Sequence, residues 1–435
     1  MPDPKPSTPR EAAAVVRAVD RIGMPLGPGI PSAFLHALGE RDDFEALVVF
    51  GALLLEPFAL FTRAGVSLRS GFFGPVERGL RAAGHDVEFV PAGFRDFVSI
   101  ARRLAPRVVA TVAAPPDAEG RLSLSLHAGA TVEEIHRAAA DPERLLVVET
   151  SAAQPRTCGL PPEHPHSVAL ADVDVWIESD REPFVLPDAP SGPAEHAIAE
   201  IVSRYVGDGA TLQTGIGGIP NDVVKRLAEG SGGDYGIHSE MFTTGLMTLH
   251  RAGKVSNRKG IFDGSSIATF AMGTRELYDW LEDNEAVRFL PVGIVNDPGL
   301  AARNRRMVSI NGALAVDLYG QVAADALDHR QYSGIGGHED FVMSAAAAPD
   351  GHSLVCLPAT ARANGAPISR IVPALGPGTL VTTPRHHVDV VITEFGAAEL
   401  SGRTVPERAR ALSAVAAPEF REPLLAQADR IARRA

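Results

Sequence analysis

Short motifs recur in the same order in the two halves of this 435-residue chain. Gly27-Pro-Gly-Ile-Pro31 is answered by Gly215-Ile-Gly-Gly-Ile-Pro220, and Phe89-Val-Pro-Ala-Gly93 by Phe289-Leu-Pro-Val-Gly293. Asp117-Ala-Glu-Gly120 is answered by Asp317-Leu-Tyr-Gly320, and Val173-Asp-Val-Trp-Ile177 by Val388-Asp-Val-Val-Ile392. The spacing between partners grows along the chain and never shrinks. Gly and Pro punctuate most loops, and Asp-x-x-Gly turns are common in α/β domains, so a single match carries little. Four matches in order point to two diverged copies of one domain in tandem. The length agrees, because a single hydrophobic core does not serve a chain this long.

Each half reads as α/β. Ala46–Leu55, Arg107–Ala113, Leu145–Glu149 and Val173–Glu178 are short, largely apolar runs of strand character, whereas Thr131–Ala140 and Glu195–Val206 have helical periodicity. Alternating strands and helices predict mostly parallel sheets flanked by helices. Pro, Ser, Gly and Asp cluster between Pro183 and Pro193, which places the boundary there. The expected domains are residues 1–188 and residues 189–435.

The bulk numbers remove several functions. A formal net charge of -12 argues against nucleic acid, whose phosphates need a basic surface. Two cysteines, Cys158 and Cys356, make no disulfide framework and fit a reducing cytoplasm. No metal site is expected: Cys-x-x-Cys is absent, and His386-His387 has no ligand-like partner spacing. The N-terminus has no apolar signal core. The longest apolar run, Ala46–Leu55, is about half of what a membrane span needs.

Two kinds of feature could carry chemistry. The first is glycine-rich backbone. Gln213-Thr214-Gly215-Ile216-Gly217-Gly218-Ile219-Pro220 reads as strand, turn and helix start, where free amides can hold an anion or an oxyanion. Pro220 stands where a dinucleotide fingerprint would have its third glycine, and no Gly-Lys-Ser/Thr follows, so the loop is equally compatible with a plain turn. A second run, Gly334-Ile-Gly336-Gly337, has no counterpart in the first half, which suggests a ligand site in the second copy. The other feature is polar residues in apolar surroundings. Glu240 sits in Gly236-Ile-His-Ser-Glu-Met-Phe242, and a partly desolvated carboxylate there would serve as a covalent nucleophile. A surface glutamate beside a serine cap fits the same pattern. Asn311, in the strand Met307–Asp317, would need a partner that a ligand could supply, although a turn-forming Asn reads the same way.

These residues belong to a pattern that resembles the acetyl-CoA hydrolase/transferase family, which includes 4-hydroxybutyrate and butyryl coenzyme A-transferases. The motifs that carry the resemblance span nearly the whole chain. They include Met24-Pro-Leu-Gly27, Gln154-Pro-Arg-Thr157, Leu212–Pro220, His238-Ser-Glu-Met241, Ser309-Ile-Asn-Gly-Ala-Leu314, Tyr332–Gly337 and Val388–Gly396. The resemblance implies two similar α/β domains of the CoA-transferase type and a catalytic glutamate at Glu240 in the second. It implies contact with coenzyme A along Gln213, Thr214, Gly215, Ile216, Gly217, Gly218 and Ile219. It places Gly217, Gly218, Asn311, Gly334, Gly336 and Gly337 on the substrate and oxyanion side. Many relatives carry Lys after Thr-Ala near the coenzyme A site; here Thr360-Ala361 is followed by Arg362, which keeps the charge but not the geometry.

The function so implied is transfer of CoA from an acyl-CoA to a carboxylic acid such as acetate, through a glutamyl-CoA thioester. Acyl-CoA hydrolysis by the same glutamate, or acyl-CoA binding without catalysis, would use the same motifs. Coenzyme A and acyl-CoA enter as substrates, with no permanently bound cofactor. The expected partners are acyl-CoA, small carboxylic acids and further copies of the chain in a homo-oligomer, with neither nucleic acid nor membrane.

Overall fold

Val108-Val-Ala-Thr-Val-Ala113 is buried at every position, as a strand covered on both faces requires. Alternate residues serve opposite faces of the sheet. Val108 and Ala110 join one apolar cluster with Ile22, Leu47 and Val49, and Val109 joins another with Leu146 and Val148. The helix α1 (Ser32–Gly39) covers the first face through Phe34, Leu35 and Leu38, all fully buried. The helix α2 (Val132–Ala140) covers the second through Val132 and Ile135. Each such side chain taken from water contributes about 1.5–3 kcal/mol.

The computed structural model describes residues 5–188 and 190–433. Its strands form two main sheets. The first contains β1 (Val19–Leu26), β2 (Ala46–Ala52), β3 (Val66–Ser70), β4 (Val87–Phe89), β5 (Val108–Ala113), β6 (Leu145–Ser151) and β7 (Val175–Ser179). They lie side by side in the order β4-β3-β2-β1-β5-β6-β7, all parallel. The second contains β8 (Thr211–Thr214), β9 (Gly236–Ile237), β10 (Met307–Gly312), β11 (His352–Cys356), β12 (Val390–Thr393) and β13 (Gly396–Glu399). Its order is β9-β8-β10-β11-β12-β13, parallel except for the last pair. The helices α3 (Gly218–Glu229), α4 (His338–Ala347), α5 (Val405–Ala414) and α6 (Pro418–Ala432) belong to the same unit, and its core joins Val355 and Val391 to Leu412 of α5 and Leu424 of α6.

The two sheets share a plan. In each, the first strand (β1 or β8) has its successor on one side, and three later parallel strands follow in order on the other, to which the second sheet adds the antiparallel β13. The repeated motifs fall on matching places. Gly27–Pro31 follows β1 and Gly215–Pro220 follows β8, while Val173–Ile177 runs into β7 and Val388–Ile392 into β12. The Asp-x-x-Gly turns agree bond for bond. The Asp117 carboxylate accepts from the N–H of Glu119 and Arg121 at 3.1 and 2.7 Å. The Asp317 carboxylate accepts from the N–H of Tyr319 and Gln321 at 3.0 and 2.9 Å. Gly120 and Gly320 close the turns at φ +71° and +90°, where a side chain would be strained.

One match does not hold. Phe89 ends β4 in the first sheet, whereas Phe289 ends the short strand Val287–Phe289, which pairs with Ser266–Ala268. That segment also breaks the linear division at 188/189. The two compact units are Met1–Leu186 with Ile267–Val295, and Pro187–Ser266 with Asn296–Ala435. The inserted segment is held by the first unit's backbone: Ala128 N–H donates to Thr269 O at 2.7 Å, Ala271 N–H to Leu126 O at 2.7 Å and Phe289 N–H to Cys158 O at 2.8 Å. Nothing in local composition marks its ends.

Candidate active site

In an open parallel sheet, ligands bind beyond the carboxyl ends of the strands, where the strand order reverses. In the second unit that point is β8, flanked by β9 on one side and β10 on the other. The loop Gly215-Ile216-Gly217 leaves β8 there and enters α3, whose first helical residues are Gly218 and Ile219. Gly217 has φ +120°, which a side chain would strain, and no side chain caps the helix start. Asn221 and Asp222 therefore lie inside α3 and do not cap it. Ile216 is exposed.

Polar side chains tie the ends of these strands together. Gln213 and Asn311 exchange amide hydrogen bonds at 3.4 and 3.3 Å, so the partner that Asn311 needs is supplied from within the protein. Ser239, fully buried, donates through Oγ to Thr214 O at 3.1 Å and accepts from Thr214 N–H at 3.3 Å. It is a latch between β8 and the residue before Glu240, not a helix cap. His238 is equally buried, and Asn304 Nδ2 lies 3.0 Å from its Nδ1.

Glu240 follows β9 and keeps part of its surface open. Asn296 Nδ2 donates to its Oε2 at 2.7 Å, and the backbone N–H of Gly337 donates to it as well. Gly337 is the N-cap residue of α4, so the carboxylate also lies at the positive end of a ten-residue helix. A methyl group at Gly337 would stand 2.2 Å from Glu240 Oε2 and 2.4 Å from Asn296 Nδ2; one at Gly336, whose φ is +57°, would stand 3.6 Å from Oε1. Gly337 is thus what lets backbone approach the carboxylate, and Gly336 supplies the left-handed turn before it. Burial pushes the Glu240 carboxyl up to about 7, and the charge of Asp340 adds to the rise, against the hydrogen bonds from Asn296 and Gly337. The group is then a stronger base than a hydrated carboxylate, held by two N–H donors.

Of the residues singled out in the sequence, Glu240, Gly336 and Gly337 come together. Gly334 is buried in the loop that leads to α4. Arg362 is exposed on the hairpin Thr360–Ala363/Ala366–Ser369 and donates to Gly365 O at 3.4 Å. Asn296 and Asp340 were not foreseen. A lone Asn after the apolar Val292–Val295 was the only signal for the first, and the acidic run Glu339-Asp340 beside the glycine loop the only one for the second. Among the described residues, no cluster of three or more His, Cys, Asp or Glu could hold a metal ion, and no helix is long and apolar enough to cross a membrane.

The arrangement has full-length relatives. The succinyl-CoA:cyclohexane-1-carboxylate CoA transferase of Geobacter metallireducens is 38% identical over 434 residues, covering 99% of this chain and 96% of that protein. The family pattern described as the acetyl-CoA hydrolase/transferase C-terminal domain matches residues 273–428. The chain belongs to the acetyl-CoA hydrolase/transferase family.

Further comparisons bear on the same family. The 4-hydroxybutyrate coenzyme A transferase of Clostridium kluyveri is 34% identical and covers 90% of this chain and 92% of that protein. The crystal structure of RipA from Yersinia pestis superposes with a TM-score of 0.87 at 31% identity, over 98% of this chain and 97% of that one. The fold is therefore that of the acetyl-CoA hydrolase/transferase family, two similar α/β units with mostly parallel sheets. The matched C-terminal pattern contains Asn296, Gly336, Gly337 and Asp340, while Glu240 lies before it.

Proposed function

We propose that this protein is a coenzyme A-transferase that moves CoA from an acyl-CoA to a small carboxylic acid, with Glu240 as its covalent nucleophile. The observation that carries the reading is the Glu240 carboxyl itself: raised to about 7 by burial, and held by Asn296 Nδ2 and Gly337 N–H in a chain related over its whole length to CoA-transferases. A carboxylate is the required group, because it must become a carbonyl that carries CoA.

The steps balance without an added proton. A Glu240 oxygen attacks the thioester carbonyl carbon, the C–S bond breaks, and CoA leaves as thiolate, which gives a mixed anhydride. The thiolate attacks the glutamyl carbonyl carbon, the C–O bond to the acyl group breaks, and the first acid leaves as carboxylate. Glu240 is now a glutamyl-CoA thioester. The acceptor carboxylate then attacks the glutamyl carbonyl and the same two steps run in reverse. At each attack on the glutamyl carbon, negative charge develops on the oxygen facing Asn296 Nδ2 and Gly337 N–H, where each donor is worth roughly 3 kcal/mol. The free amides at the start of α3, around Gly217 and Gly218, together with Gln213 to Ile219 and Arg362, are proposed for coenzyme A. Coenzyme A comes and goes as substrate. Both cysteines are free, which supports a reducing, cytoplasmic setting, and a homo-oligomer is proposed from the family resemblance.

The test is chemical. Enzyme incubated with acyl-CoA and then treated with hydroxylamine or borohydride is expected to carry the modification on Glu240; a label elsewhere, or none, sinks the covalent scheme. Acyl-CoA consumption should require an added acid such as acetate. Equal loss without the acid would move the reading to hydrolysis, and binding without turnover would leave a binding protein.

A further inference from the structure

Asn296 Nδ2 serves two carboxylates at once, Glu240 Oε2 at 2.7 Å and Asp340 Oδ2 at 3.4 Å. Asn296 is fully buried, and among the described residues no donor reaches its Oδ1. The orientation of this amide is thus set from its nitrogen side alone. An amide turned over has nearly the same shape, but it would present oxygen to both acids. Two negative groups on one side fix the N–H toward them.

We propose that Asp340 is a positioning residue, which keeps the Asn296 N–H turned toward Glu240 while Glu240 is acylated. This rests on the covalent reading above. As an anhydride or thioester, Glu240 carries no charge, and its hold on the amide weakens. Asp340, 4% exposed in the first turn of α4, is not acylated in the cycle and keeps its oxygen toward the amide. The Asn296 N–H therefore still faces the glutamyl oxygen when the next nucleophile attacks. An Asn held only by Glu240 would lose its orientation in the state where its donor is needed.

Of the other charged or titratable groups nearby, His338 is held below its ordinary pKa by burial and its Nε2 meets no hydrogen-bond partner among the described residues, and three more face other groups. Glu339 pairs with His387, Asp297 accepts from Leu300 N–H at 2.8 Å, and His238 faces Asn304. Asp340 is the acid whose charge raises the Glu240 carboxyl. Its removal should therefore change two observables together, turnover and the pH at which Glu240 becomes active.

The experiment uses the full chain. Asp340→Asn is expected to lower kcat roughly 10–100-fold, a fraction of what a missing oxyanion donor costs, with KM for acyl-CoA within about twofold, and to move the acidic limb of kcat/KM to lower pH. Asn296→Ala should lower kcat at least as much, and adding Asp340→Asn to it should cost less than about threefold more, because the acid acts through the amide. Equal losses in both backgrounds, or an unmoved limb with unchanged kcat, overturn the proposal. Asp340→Glu keeps the charge and should retain most of kcat even if the Asn variant does not fold; a loss of more than about 100-fold in a folded Glu variant also overturns it. Hydroxylamine labelling of the unaltered enzyme separates the two readings. A label on Glu240 with a failed Asp340 test removes only the positioning role, whereas no label on Glu240 removes the covalent scheme beneath it.

Discussion

Gly337 and Glu240 leave no room for a methyl group between them: a Cβ on Gly337 would lie 2.2 Å from Glu240 Oε2. The backbone at Gly337 is at φ -91°, which any residue adopts, so the need for glycine is steric and local. Gly337→Ala should leave the fold intact, with circular dichroism unchanged. It should lower kcat by about 100-fold or more, the usual cost of a displacement near 1 Å at a reacting group. Normal turnover by the alanine variant would show that Glu240 does not need this approach.

The pH dependence follows from the same carboxyl. Glu240 attacks only when ionised, and its carboxyl lies at about 7. Below that pH, kcat/KM should fall about tenfold per unit, and above it should level off. A profile from pH 5 to 9, flat down to the ordinary carboxylate range, would mean that burial does not control the nucleophile.

Stability carries the opposite sign. The folded Glu240 carboxyl is raised above its ordinary value of 4.5. Between 4.5 and about 7 the unfolded chain has lost this proton while the folded chain keeps it, so the stability this one group contributes is full below 4.5 and is lost as pH rises through about 7. The loss is on the order of 1–3 kcal/mol, given the group's partial exposure. Glu240→Gln cannot ionise. Its melting temperature should gain on that of the unaltered enzyme between pH 5 and 8, while transfer is abolished. A difference in Tm that does not change with pH would argue against a desolvated Glu240.

The two Asp-x-x-Gly turns offer a paired test. Asp317 is fully buried and also accepts from Gln321 Nε2 at 2.8 Å; the Asp117 side chain is 29% exposed. Asp317→Ala should cost about 2–4 kcal/mol, because it leaves buried donors unpartnered, and Asp117→Ala about 1 kcal/mol. Thermal melting of both variants checks the order. A larger loss at Asp117 would mean that burial does not set the difference.

Much of this was legible in the chain. The repeat worked where its motifs mark obligatory backbone geometry, as at Gly120 and Gly320, and failed at Phe289, where Pro and Gly merely end a short strand. The glycine run at Gly334–Gly337 was visible as flexible backbone present in one copy only. Glu240 stood out mainly through family resemblance, since its neighbours also fit a surface turn. Asn296 and Asp340 were hidden because their meaning is a distance, not a pattern: they reach the site from 56 and 100 positions along the chain, and only folding brings their atoms near one nitrogen. The amide partner of Asn311, Gln213, was not legible because it comes from a neighbouring strand.

The return of Ile267–Val295 to the first unit has a consequence for biosynthesis. Synthesis proceeds from the N-terminus, and domains usually form in that order. Here the first unit lacks part of its framework until residue 295 has left the ribosome. Until then Ala128 N–H, Leu126 O and Cys158 O have no chain to meet. The nascent protein must hold an unfinished first unit while it makes the strand that precedes Glu240. A fragment ending at 186, sound by the linear reading of the repeat, should behave as an incomplete domain: poorly soluble alone and stabilised by a separate peptide spanning 267–295.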